Sequence, residues 1–290
     1  QQEGSEVFII IADYHTLTTK HSKNHIKSVS ENIRELVLDY LSVGIDPQKT
    51  VIYLQSLVPQ VAELSLIFSM LVSVNRLKRI PTLKEKVKES GKEKVGEVSL
   101  GLLGYPVLQA ADILLYKAEF VPVGEDQVQH VELTRDIARR FNNRFGETFP
   151  LPDVLLSDAP KILGTDGKSK MSKSMNNYIG LLESEDVIWE KIRTAVTDEN
   201  RKRRSDPGNP SICNIYTIHT AFSSPEELDM IDRECRKAGI GCIDCKKILM
   251  KNLWKEIAPI QEKAKEFLNN ENEVKDILRD GAKKCKQISE

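Results

Sequence analysis

The sequence predicts an α/β fold, a Rossmann-like domain built on a parallel sheet over residues 1–180 followed by an all-α C-terminal domain over residues 181–290. Three observations predict it. Short β-branched runs alternate with helically spaced apolar residues in the first part of the chain. Strand signals stop after the loop at 164–174. Beyond that loop Pro and Gly gather only near "SDPGNP". Taken in order, "VFIIIAD" (Val7 to Asp13) is a continuous apolar run ending in a polar residue, which suits a strand buried on both faces. Ile26, Val29, Ile33, Leu36, Val37, Tyr40 and Leu41 then recur at helical spacing, and Gly44 supplies a C-terminal stop. "TVIYLQS" (Thr50 to Ser56) is a second strand and completes a βαβ unit. Pro59 opens a helix over 60–77, and the charged, glycine-broken stretch 82–97 reads as an exposed connector. Pro106 to Leu115 is helical, "EFVPVG" is a short strand, and Glu125 to Phe141 is a long helix with Val128, Val131, Ile137 and Phe141 on one side. The region from "NNYIGLL" onward is almost wholly helical, with Leu253, Trp254, Ile257, Ile260 and Phe267 as apolar anchors. No internal repeat is present.

Composition bounds the function. At 290 residues and 40% hydrophobic content the chain buries a sizeable core and suits two domains. With 42 basic against 43 acidic side chains its net charge is −1, so it has no bulk attraction to nucleic acid, and any polyanion is met by local patches. No apolar run reaches the ~20 residues that span a bilayer, and no signal peptide follows Gln1; the reading is a cytoplasmic protein whose thiols stay reduced.

Three local features carry chemistry. In "GTDGKSKMSKS" (Gly164 to Ser174) lysine ammoniums, serine hydroxyls and backbone N–H groups suit a dispersed anionic charge such as a polyphosphate, and Gly164 and Gly167 are expected to let the loop move. An ordinary solvated basic loop is the bland alternative. At "VPVGEDQ" a strand ends in Gly124 and a helix opens with Glu125 and Asp126, which either accept ribose hydroxyls or simply favour the helix N-terminus. Asp112 lies inside the apolar helix "VLQAADILLY", where a buried carboxylate is costly unless something donates to it; a ligand N–H is one such donor, and a solvent-facing position is the other reading.

These motifs stand in one order. "GEDQVQHVELTRDIARRFN", "QSLVP", "GYPVLQAADILLY" and "KMSKS" (Lys170 to Ser174) together resemble the bacterial tryptophanyl-tRNA synthetases, members of class I of the aminoacyl-tRNA synthetases, over nearly all of the chain. The resemblance implies activation of L-tryptophan with ATP and Mg²⁺ and transfer of the amino acid to tRNA(Trp), by a homodimer, with no membrane and no DNA involved. It implies that Asp112 receives the indole N–H, with Tyr105, Gln109, Ile113, Val121, Val123 and Gln127 around the amino acid. Gly124, Glu125 and Asp126 would contact the adenosine and Ile162 the adenine, with Lys170, Met171, Ser172, Lys173 and Ser174 on the pyrophosphate. Lys170, Ser172 and Lys173 are the expected catalytic residues, acting by positioning and charge neutralisation. The family's first signature, a His-Ile-Gly-His-like turn, is not among the 290 residues, so the catalytic domain is expected to be N-terminally incomplete and the chain alone not fully active. His15 is no substitute for that signature and reads as a hydrogen-bonded loop histidine. Two alternatives stay open: a tyrosyl-specific relative, and a non-catalytic tRNA-binding or metal-sensing paralogue.

Of five cysteines, Cys213, Cys235, Cys242 and Cys245 cluster late, the last two as C-x-x-C. Four thiolates with one close pair suit Zn²⁺ or an iron–sulfur cluster, and some members of the family hold a [4Fe–4S] cluster with similar spacing; four reduced thiols are the alternative. Cys285 fits no pattern. The run Arg201 to Arg204 is read either as a contact for tRNA phosphates or as a solvated charge run.

Overall fold

The apolar run at the start forms strand β1 (Val7–Ile11) and pairs in parallel with β2 (Thr50–Leu54), Val7 opposite Thr50 and Ile11 opposite Leu54. The computed structural model describes residues 4–19, 22–156, 162–173, 175–268 and 271–289. Between the two strands run α1 (Asp13–Leu17) and α2 (Lys23–Ser42), and the helix ends at Gly44, whose φ of +101° only glycine adopts without strain. The expected helix over 60–77 is two pieces, α3 (Gln60–Ser69) and α4 (Val74–Leu77), because the Ser73 side chain caps a new helix start by accepting from Arg76 N.

The stretch 82–97 is not the exposed connector expected. Its first half is α5 (Pro81–Glu89), with Pro81 at the first helical position and Leu83 and Val87 buried one turn apart in the core. Each such burial contributes about 1.5–3 kcal/mol, which outweighs the charged composition that suggested an exposed segment, and Gly91 and Gly96 both fall after the helix. Helix α6 (Leu100–Leu114) follows, then β3 (Phe120–Val123), α7 (Val128–Phe145) and β4 (Asp153–Leu156), a strand the sequence reading did not anticipate. β4 pairs in parallel with β3 across α7, a second βαβ unit whose two-stranded sheet is separate from that of β1 and β2.

The remaining helices are α8 (Glu185–Thr194), α9 (Asn214–Phe222), α10 (Pro225–Arg236), α11 (Cys242–Leu268) and α12 (Glu271–Ser289). The chain divides into two compact units, one of residues 1–40, 45–158 and 270–290, the other of 41–44 and 159–269. This division differs from the contiguous 1–180 and 181–290 expected: residues 159–180 go with the helical unit, and the last helix returns to the α/β unit. There α12 packs along β2, with Ala282 and Cys285 in the same core as Val51 and Tyr53. The helical unit has its own core of Ile188, Ile192, Ile215, Ile218, Leu249 and Leu253. In it the buried Lys246 donates through Nζ to the carbonyls of Arg193 and Ala195, satisfying the end of α8.

Candidate active site

In the α/β unit, Tyr105, Gln109, Asp112 and Ile113 share one face of α6, as their spacing dictates. Their neighbours Ala110, Ala111 and Leu114 are fully buried, so Asp112 is carried into the interior with them, its side chain 8% exposed. The partner it requires within the protein is Gln55, in the 3₁₀ turn directly after β2. Gln55 Nε2 donates to Asp112 Oδ1 at 2.8 Å and Oδ2 at 2.9 Å, and Gln55 Oε1 accepts from Tyr14 N at 3.1 Å. Asp13 ties α1 to the same turn by accepting from Ser56 N at 3.0 Å.

His15, on α1, is drawn into this group, with Nδ1 3.1 Å from Gln55 Nε2 and 3.7 Å from Asp112 Oδ2. It is hydrogen-bonded, as expected, but stands on a short helix and not in a loop. Burial pushes the Asp112 carboxyl up to about 8, against the pull of Gln55 and with a smaller push from Asp13. Burial likewise drives His15 below its ordinary value. Both shifts favour the neutral forms, so the close approach of His15 and Asp112 is a polar contact between neutral groups and not an ion pair.

Around this group Tyr105 Oη lies 2.9 Å from His130 Nε2, and Lys86 sits over the Tyr105 ring at 5.7 Å. Burial and then the Lys86 charge hold His130 down at about 4. Gln109 donates to Gln127 Oε1 at 3.3 Å, and Gln127 to Asp126 Oδ2 at 2.8 Å, joining α6 to the start of α7. Val121 and Val123 are half-buried on one side of β3, and Gly124, Glu125 and Asp126 are exposed where β3 gives way to the helix. A side chain at Gly124 would stand 2.9 Å from Asp126 Oδ1, so glycine is what lets that carboxylate lie over the turn. Gln55, His15, His130 and Lys86 were not assigned by sequence reasoning; their only signal is polar type in apolar surroundings, and their meeting depends on tertiary packing.

In the helical unit the lysine loop has an ordered backbone. Leu163 and Lys170 form an antiparallel bridge, and Lys168, Lys170 and Lys173 are all exposed. Gly167, at φ +65°, makes the turn. Gly164 is buried and is not a hinge: a Cβ there would run into the Asn177 side chain, including its Cβ at 2.7 Å. Ile162 packs against the core that holds Ile188 and Ile192. Met171 and Ser172 are half-buried, and Ser174 lies outside the described residues.

The four clustered cysteines act on one another electrostatically. Cys245 is pushed up to about 12 by burial first and then by Cys213, Cys235 and Cys242. His219 Nε2 lies 3.4 Å from Cys245 Sγ, and Arg201 Nη1 3.7 Å from Cys235 Sγ. Yet among the described residues no three His, Cys, Asp or Glu side chains are placed to hold a metal ion, so the expected metal set is not formed. Arg201 also donates to the carbonyls of Arg204 and Ile240, so it stabilises a turn and is not part of a solvated basic run.

The chain matches the family model described as tRNA synthetases class I (W and Y) over residues 1–258. It is 49% identical to the tryptophan–tRNA ligase of Thermotoga maritima over 290 residues, which are all of this chain and 87% of that protein. Its fold is similar to the crystal structure of tryptophanyl-tRNA synthetase from Campylobacter jejuni complexed with ADP and tryptophan, with a TM-score of 0.85 at 37% identity over 99% of this chain and 87% of that one. The tyrosyl-tRNA synthetase of Archaeoglobus fulgidus shares the fold alone, with a TM-score of 0.65 at 17% identity over 91% of this chain and 81% of that one. The four motifs and the buried Asp112–Gln55 group thus have one common explanation: the chain belongs to the class I tRNA synthetases of the tryptophan and tyrosine group.

Proposed function

We propose that the protein activates L-tryptophan with MgATP to give tryptophanyl-adenylate and transfers the amino acid to tRNA(Trp). The observation that carries this reading is Asp112, a carboxyl buried on an apolar helix whose charged form is costly until a ligand N–H reaches it. The indole N–H meets that need. In the first step the tryptophan carboxylate forms a bond to the α-phosphorus and pyrophosphate leaves; in the second, a terminal tRNA hydroxyl takes the acyl group and AMP leaves. No protein nucleophile is needed. Lys170 and Lys173, with the Ser172 hydroxyl, neutralise charge on the departing pyrophosphate, and the exposed Glu125 and Asp126 accept ribose hydroxyls. Such relatives favour neither the tyrosyl-specific nor the non-catalytic alternative. Amino-acid-dependent exchange of pyrophosphate into ATP tests the reading: tryptophan supports exchange, and tyrosine does so about a thousandfold less well, because the phenol leaves a buried group unpaired. Equal exchange with tyrosine refutes it.

Three finer points belong to the same reading. A homodimer is supported by an apolar face on α3 and α6, where Leu66, Met70 and Leu100 are 62%, 72% and 82% exposed beside a groove of about 560 Å³. M70E/L100E is expected to elute as a monomer in light-scattering chromatography where the parent elutes as a dimer. No described helix is long and apolar enough to cross a membrane, and a cytoplasmic location goes with tRNA charging. A metal on Cys213, Cys235, Cys242 and Cys245 has only their sequence spacing behind it, since among the described residues no three metal-ligating side chains come together; elemental analysis of anaerobically purified protein tests it.

A further inference from the structure

We propose that Asp166 and Asn177 form a clasp that fixes the backbone of the lysine loop, and that both are positioning residues for pyrophosphate departure. This rests on the reading of the loop as a polyphosphate grip. Asn177 is 3% exposed and uses both ends of its carboxamide. Its Oδ1 accepts from Ser172 N at 2.8 Å, and its Nδ2 donates to Asp166 Oδ2 at 3.1 Å and to Lys170 O at 3.3 Å. Asp166 Oδ1 in turn accepts from Lys168 N at 3.1 Å and Ser169 N at 3.3 Å. Two side chains thereby engage four backbone groups between Lys168 and Ser172, in a stretch whose lysine side chains point outward.

The anchorage continues below the clasp. Thr165 N donates to Asn177 O at 2.8 Å, and Asn214 Nδ2 to Gly164 O at 2.8 Å. Gly164 lacks a side chain where the Asn177 carboxamide passes, which explains the glycine better than mobility does. The residue types are dictated by the bonding. Position 177 must offer a donor to a carboxylate and an acceptor to an N–H from one small planar group, and asparagine does both. The N–H groups of Lys168 and Ser169, with the Asn177 amide, hold the Asp166 carboxyl below its ordinary value and so favour its ionised form. A loop ordered in advance meets developing charge without first losing conformational entropy.

The test exchanges the two groups. N177D sets two carboxylates against each other, whereas D166N/N177D restores one carboxylate facing one carboxamide and leaves only the Lys170 carbonyl without its donor, so its recovery is partial. The expected result is a fall in kcat for tryptophan-dependent pyrophosphate exchange of about tenfold or more in N177D and N177A, with recovery to within about threefold in the double variant. KM for tryptophan stays within about twofold throughout, which a general loss of fold would not allow. Limited trypsin digestion gives a second readout: cleavage after Lys168, Lys170 or Lys173 quickens in N177D and N177A and slows again in the double variant. Unchanged exchange and cleavage in N177D, or no recovery of either in the double variant, overturns the clasp. K170A/K173A separates the two readings. Its full retention of exchange overturns the polyphosphate grip and the clasp's purpose with it, while a loss there without rescue by the swap overturns the clasp alone.

Discussion

Replacing Asp112 by alanine is expected to lower kcat/KM for tryptophan by about a hundred- to a thousandfold in pyrophosphate exchange. The loss arises because the ligand N–H then enters an apolar site without an acceptor, and because Gln55 Nε2 loses the carboxylate it bridges at 2.8 and 2.9 Å. D112N is the more informative variant. It keeps volume and one oxygen but cannot ionise, so it loses activity nearly as far while changing stability in a predictable direction. The Asp112 value in the folded protein is about 8 against an ordinary 3.8, so the acid form is favoured by folding. That stabilisation is fully present below about pH 4 and is lost as pH rises through about 8. Urea titrations of the ligand-free protein should therefore show stability declining across this window, by several kcal/mol at most, with the Asp112 share of the decline missing in D112N. On the proposed role of Asp112, activity is expected to run the other way, because the ionised carboxylate would hold the indole.

Gly281→Ala is the second large effect. On α12 this glycine lies so close to β2 that an added Cβ runs into Ile52 O and stands 2.8 Å from Ile52 C. Backbone cannot swing aside as a side-chain tip does. The helix must shift, pulling Ala282 and Cys285 from the core they share with Tyr53. Alanine gains about 1 kcal/mol of helix propensity and still destabilises by about 3 kcal/mol net. Differential scanning calorimetry should show Tm lowered by about 10 °C. β2 leads directly into the turn that carries Gln55, so KM for tryptophan rises as well. A melting temperature within a degree or so of the parent would mean that α12 does not brace the strand.

What could be read from the chain beforehand, and what could not, follows from how local each cause is. β1 and β2 were legible because continuous β-branched runs bounded by polar residues have few other uses. Asp112 was legible because one carboxylate among Ala110, Ala111, Ile113 and Leu114 breaks an apolar pattern and demands a partner. The partner itself was not: Gln55 and His15 are remote in sequence from Asp112, and nothing in spacing announces that they meet. Helix α5 was missed because two apolar residues, Leu83 and Val87, were outnumbered by lysines and glutamates. β4 was missed because four residues with half-exposed side chains carry little pattern. Gly164 was noticed for the wrong reason, since a hinge and a close approach are both written as glycine and only the position of Asn177 separates them. The return of α12 to the α/β unit is invisible in an amphipathic helix, which any apolar surface satisfies.

The central claim is that an acid held neutral in the empty site becomes ionised to receive the indole. Titration calorimetry of tryptophan binding at pH 7, in buffers of different ionisation enthalpy, measures this directly. With Asp112 near 8 in the free protein, binding should release about 0.9 proton, and D112N should release none from this group while binding far more weakly. Heats independent of buffer, or the same proton release in D112N, would contradict the account.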